Sequence, residues 1–95
     1  MSIKGVKHDK EKDDWFLLPP EPLRWVIRVL MHGAKKYAPD NWVYVKPKER
    51  YYSAAPRHLT SWKDGERIDR ESGLPTLAHA ICCLIFLLWH DLKGK

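Results

Sequence analysis

Apolar residues recur along this chain at helical spacing in three places. Leu23, Val26, Ile27, Leu30 and Ala34 fall three and four apart, which lines one face of an α-helix. Pro22 suits the first turn of that helix, where a missing N–H costs nothing, and Gly33 interrupts it near the end. Arg24, Arg28 and Lys35 form a separate stripe beside the apolar face. Trp25 and Val29 lie on a further side, too apolar to meet only water, so the pattern predicts a partner subunit over them.

A second helix is predicted from Lys48 or Glu49, with Tyr51, Ala55, His58 and Trp62 on one face and Asp64-Gly65 as its stop. Pro56 inside that pattern predicts either a kink or a later start. Trp62 and Tyr51 read as core. The third helix opens at Ser72-Gly73-Leu74-Pro75 and runs to about Asp91 or Leu92, before Gly94. It is apolar almost all round from Ala80 to Trp89, which marks a central core helix or an oligomer seam. Between the first two helices, Ala38-Pro39-Asp40-Asn41-Trp42 reads as a turn-rich loop that continues, extended, through Val43-Tyr44-Val45.

These elements predict an all-α fold: a small bundle of about three helices with long loops, completed by oligomerisation. Residues 1–14 form a charged N-terminal arm, and residues 15–95 a single helical domain. With 95 residues the chain buries only a modest core. Cys82 and Cys83 are adjacent in an apolar run, where helical neighbours point about 100° apart and form no ordinary disulfide, so both read as reduced core residues. No signal region precedes the arm, and the apolar run of the third helix falls short of the roughly 20 residues that cross a bilayer. A soluble protein of the cytoplasm, without a membrane partner, is expected.

The net charge of +5 arises entirely within residues 15–60, which hold eight Lys or Arg against Glu21, Asp40 and Glu49. A positive middle beside an acidic turn predicts an anionic ligand with room for a cation, although a solvated basic surface gives the same balance. Glu66, Asp69 and Glu71 place three carboxylates within six residues. Hard cations such as Mg²⁺ or Mn²⁺ take oxygen ligands, commonly one or two carboxylates plus substrate phosphates. Lys63, Arg67 and Arg70 alternate with the acids, so a surface loop of mixed charge remains the alternative.

His58 and His79 flank this turn from the second and third helices. A helical hairpin brings both beside the carboxylates, where they are candidates for acid–base work. Lys35, Lys36 and Arg57 are candidates for phosphate, and Trp42 for stacking on a base. Long nucleic acid is a poorer ligand, because the acidic turn repels a phosphate backbone. No glycine-rich phosphate loop, serine nucleophile elbow or zinc-finger spacing occurs.

LLPP at 17–20, GAKKY at 33–37, NW at 41–42, RHL at 57–59 and, between 62 and 80, Trp62, Gly65-Glu66, Asp69, ESGLP at 71–75 and LAHA at 77–80 resemble the dATP/dGTP diphosphohydrolase N-terminal domain family of small phage and prophage proteins. The likeness covers nearly the whole chain. It implies a mostly helical protein of the infected host's cytoplasm that releases pyrophosphate from purine deoxynucleoside triphosphates with a divalent metal. Such activity is similar to that of MazG-like pyrophosphohydrolases, but their Glu-x-x-Glu motif is missing from the first helix. The family pattern also implies a histidine at position 76, where this chain has Thr76.

Two functions follow from this sequence. One is a metal-dependent nucleotide pyrophosphohydrolase, with Glu66, Asp69 and Glu71 on the metal, His58 or His79 moving a proton, and Lys35, Lys36 and Arg57 on phosphate. The other is a non-catalytic nucleotide-binding protein that sequesters a host nucleotide signal.

Overall fold

In a computed structural model, which describes Gly5, His8 and residues 10–94, the chain forms three α-helices: α1 (Pro20–Lys36), α2 (Glu49–Lys63) and α3 (Thr76–Leu92). Two 3₁₀ turns, Trp15–Leu17 and Asn41–Tyr44, punctuate the connections. The second occupies part of the segment expected to be extended. Among the described residues there is no strand, only an isolated antiparallel bridge between Ile68 and Pro75.

Each helix begins and ends for a local reason. Pro20 and Pro22 sit in the first turn of α1, Glu21 complements the positive end of its dipole, and Lys35 and Lys36 complement the negative end. α2 runs unbroken through Pro56. The carbonyl that proline leaves without a helical donor belongs to Tyr52, and both residues are exposed, so water can satisfy it. The helix closes where the Glu66 N–H donates to the Ser61 carbonyl (2.9 Å) and the Gly65 N–H to the Trp62 carbonyl (3.0 Å), with Gly65 at φ +104°. This is a Schellman closure, and its left-handed position favours glycine.

α3 is the middle helix, packed between α1 and α2. The core joins Val26 and Val29 of α1 to Ala78 and Cys82 of α3, with Trp25, Leu30, Leu74 and Phe86 packed around it. This corrects the predicted orientation of α1. Val29 is buried within the subunit and Trp25 flanks the same core, its indole N–H donating to Glu21 Oε2 (3.1 Å), so neither calls for a partner subunit. Leu23 and Ile27, expected inside, are exposed instead. Trp62 is also a surface residue, covered on one face by the Arg67 guanidinium at 4.1 Å. Cys82 and Cys83 are free thiols in the interior, as expected, and burial pushes the Cys82 thiol up to about 12.

Candidate functional site

The turn between α2 and α3 is a closed, hydrogen-bonded structure. The Asp69 N–H donates to the Leu74 carbonyl (2.8 Å), the Gly73 N–H to the Asp69 carbonyl (2.8 Å), and the Thr76 N–H to the Arg67 carbonyl (2.9 Å). Gly73 takes φ +72°, the left-handed conformation this tight reversal requires. Inside the turn the Asp69 carboxylate accepts the Ser72 N–H (2.9 Å), while Ser72 Oγ accepts the Leu74 N–H (3.2 Å). Asp69 is therefore held in one place before any ligand arrives.

His79, one turn into α3, meets this arrangement. Its Nε2 lies 2.7 Å from Ser72 Oγ and 3.8 Å from Asp69 Oδ2. The His58 ring, from α2, stacks on the His79 ring with centroids 5.3 Å apart and planes 28° from parallel. Burial pushes both imidazoles below their ordinary pKa, against the opposing pull of Asp69, so both are neutral at pH 7. Burial acts on Asp69 in the upward direction, but the Ser72 hydrogen bonds and the two histidines outweigh it and hold the carboxyl below its usual range. The group thus contains an ionised carboxylate beside two proton acceptors.

These side chains edge a cleft of about 950 Å³ lined by all three helices and the loop after α1. Lys36, at the end of α1, pairs with Glu71 across its mouth. His32, one turn earlier on α1, lines the cleft and adds its field to Glu71 and His79. Arg50 and Arg57 contribute two guanidinium groups from α2. Basic side chains from α1 and α2 beside the acidic turn give the cleft charges of both signs.

The other end is aromatic. Trp42 stacks on Phe86 (4.7 Å, 14°) and meets Trp89 edge-on (5.0 Å), and Tyr51 donates its hydroxyl to the Trp42 carbonyl (3.1 Å). His79 and Phe86 lie seven residues apart on α3, about 10 Å along its axis.

Of the residues chosen from sequence, Lys36, Trp42, Arg57, His58, Asp69, Glu71 and His79 all line this one cleft. Lys35 and Glu66 do not; Glu66 pairs with Arg70 at 3.8 Å. The three carboxylates do not converge, because each has its own partner: Arg70 for Glu66, Ser72 and His79 for Asp69, and Lys36 for Glu71. Among the described residues no three His, Cys, Asp or Glu side chains are grouped to hold a metal ion. Hard cations are also held by as few as one or two carboxylates, with substrate phosphates supplying further oxygens. Thr76 is 1% exposed and does not line the cleft, so a histidine there would enter packed interior rather than the site.

His32 and Arg50 were missed. Each had a signal: His32 stands four residues before Lys36 and Arg50 seven before Arg57, spacings that repeat a helical face.

Comparison with known proteins adds a family. Residues 2–95 match the family described as dATP/dGTP diphosphohydrolase, N-terminal. A dATP/dGTP diphosphohydrolase of Salmonella phage PMBT28 is 36% identical over 87 residues, covering 92% of this chain and 30% of that protein. The chain therefore spans under a third of that relative's length. No solved structure matches.

Proposed function

We propose that this chain, which belongs to the dATP/dGTP diphosphohydrolase N-terminal family, binds a purine deoxynucleoside triphosphate in its cleft and takes part in its hydrolysis to the monophosphate and pyrophosphate. The observation that carries the reading is the Asp69–Ser72–His79 group, stacked on His58, in the same cleft as Lys36, Arg57 and an aromatic wall. Family membership supports the hydrolase class, and the cleft supports the choice of residues.

In this reading Lys36 and Arg57 bind phosphate oxygens and offset the charge that builds in the transition state. Neutral His79 takes a proton from the attacking water as its oxygen bonds to phosphorus and the α–β phosphoanhydride breaks, with pyrophosphate leaving. Asp69, 3.8 Å away, stabilises the imidazolium that results. The stacked His58 opposes a second positive charge and so stays neutral. A Mg²⁺ or Mn²⁺ ion would be held by Asp69 and Glu71 and would neutralise phosphate charge. Glu66, paired outside the cleft, takes no part.

One arrangement favours the second reading, a nucleotide-binding protein without turnover: Glu71 is occupied by Lys36, which leaves Asp69 as the carboxylate nearest the histidines. The two readings separate in one experiment. The chain is incubated with dGTP or dATP and Mg²⁺ or Mn²⁺, the products are resolved by chromatography, and thermal stabilisation is followed in parallel. Monophosphate and pyrophosphate in equal amounts support hydrolysis. Stabilisation without products supports the binder, and neither effect rejects both.

A further inference from the structure

α3 is the middle helix and is apolar almost all round from Ala80 to Trp89, yet it has neighbours on only part of its circumference. α1 covers the side of Ala78 and Cys82, and α2 packs along another side. His79, Cys83 and Phe86 look into the cleft. At 100° per residue, Ile81 points about 160–200° away from His79 and Cys83, so the opposite side of the helix is its back. Along that back run Leu77, Ile81, Leu84, Leu88 and Leu92, exposed to 37%, 40%, 53%, 55% and 75%. Leu77, Ile81, Leu84 and Leu88 follow the alternating four-three spacing of a helix–helix seam.

These five side chains leave roughly 450 Å² of apolar surface, in the range of the largest patch on a soluble monomer, a size that is often functional. No Asp, Glu, Lys or Arg occurs from Thr76 to Trp89, so the face has nothing to repel a copy of itself, although the chain carries +5 overall. A helix of 17 residues is about 25 Å long, and two helical neighbours at 8–10 Å spacing widen the layer to nearly 30 Å. Two such layers laid back to back bury about 700 to 800 Å² per copy, the size of a standard stable interface.

We infer that a second copy of this chain covers the back of α3, with the two α3 helices antiparallel about a two-fold axis at Leu84. Leu84 is the middle residue of the helix, so this axis sets each Leu84 against its counterpart and each Ile81 near the other copy's Leu88. A parallel pair would instead bring the two Asp91 carboxylates together at one end. The antiparallel arrangement leaves both clefts facing outward, so it stands whether or not the cleft hydrolyses nucleotides.

Sedimentation equilibrium of the 95-residue chain from about 5 to 100 µM tests the pairing, with twice the 11.2 kDa chain mass expected. Mild oxidation of Leu84→Cys should give a covalent dimer linked at position 84, whereas Leu88→Cys, whose two copies stand about 12 Å apart along the axis, should not link to itself. Leu84→Glu should give a monomer that keeps its helical circular dichroism; should it unfold, the cysteine variants still decide. A monomer throughout the concentration range overturns the inference, as does linkage at position 88 without linkage at 84.

Discussion

The imidazole rings of His58 and His79 stack with centroids 5.3 Å apart, one from α2 and one from α3, over the carboxylate of Asp69. Burial lowers both pKa values from the usual 6.5, so the unfolded chain binds more protons than the folded one as the pH falls through that region. Stability contributed by the neutral rings is full above pH 6.5 and is lost as the pH drops below it. Melting temperature should therefore fall between pH 7.5 and 5.5, well before Asp69 protonates. Replacing both histidines with Gln should flatten that limb, and an unchanged pH profile in the double variant would show that the pair is not its source.

Asp69 does two things, and they separate by magnitude. Its carboxylate accepts one backbone N–H within the turn, worth about 1 kcal/mol, so Asp69→Ala should lower stability by about that much. Loss of the charge beside His79 should lower pyrophosphate release by about 10²-fold or more. Glu66→Ala, outside the cleft, should release pyrophosphate at the wild-type rate. Equal losses in the two variants would remove Asp69 from its special role.

Lys36 and Glu71 form an exposed pair, with side chains 43% and 63% accessible, so solvent screens it and breaking it should leave the melting temperature nearly unchanged. Lys36→Met should instead raise KM for dGTP about tenfold, because one charged hydrogen bond to phosphate is lost. The same change in Lys35, which does not line the cleft, should not. If both lysines behave alike, phosphate is attracted by general surface charge alone.

Trp42 was chosen from sequence for base stacking, and its place against Phe86 and Trp89 makes it structural as well. Trp42→Ala should cost about 2–4 kcal/mol in urea unfolding, whereas Trp42→Phe should retain most of the stability. A cost under about 1 kcal/mol for the alanine variant would mean that the aromatic wall is not built around this ring.

The helix limits were readable because Pro22, Pro75 and Gly65 act through the backbone itself, which needs no knowledge of neighbours. The inward face of α1 was not readable. Leu23, Val26, Ile27 and Val29 offer two overlapping apolar stripes, and only the docking of α3 selects Val26 with Val29. Trp62 misled for a related reason: its helical spacing fits the core, but Arg67 covers it at the surface. In the site, the meeting of His58 and His79 follows from the hairpin of α2 and α3, which a sequence can suggest. The separate partners of Glu66, Asp69 and Glu71 depend on how the turn reverses through Gly73, and spacing along the chain carries no record of that.

A purine deoxynucleoside triphosphate bound in the cleft, as proposed, would lie against the paired histidines. Imidazole resonances of His58 and His79, assigned through His→Gln variants, report on it directly by nitrogen-correlated NMR during titration with dGTP in the absence of metal. Both signals should shift together and saturate at one nucleotide per chain, while exposed His8 does not move. Unmoved His58 and His79 signals at millimolar dGTP would contradict it.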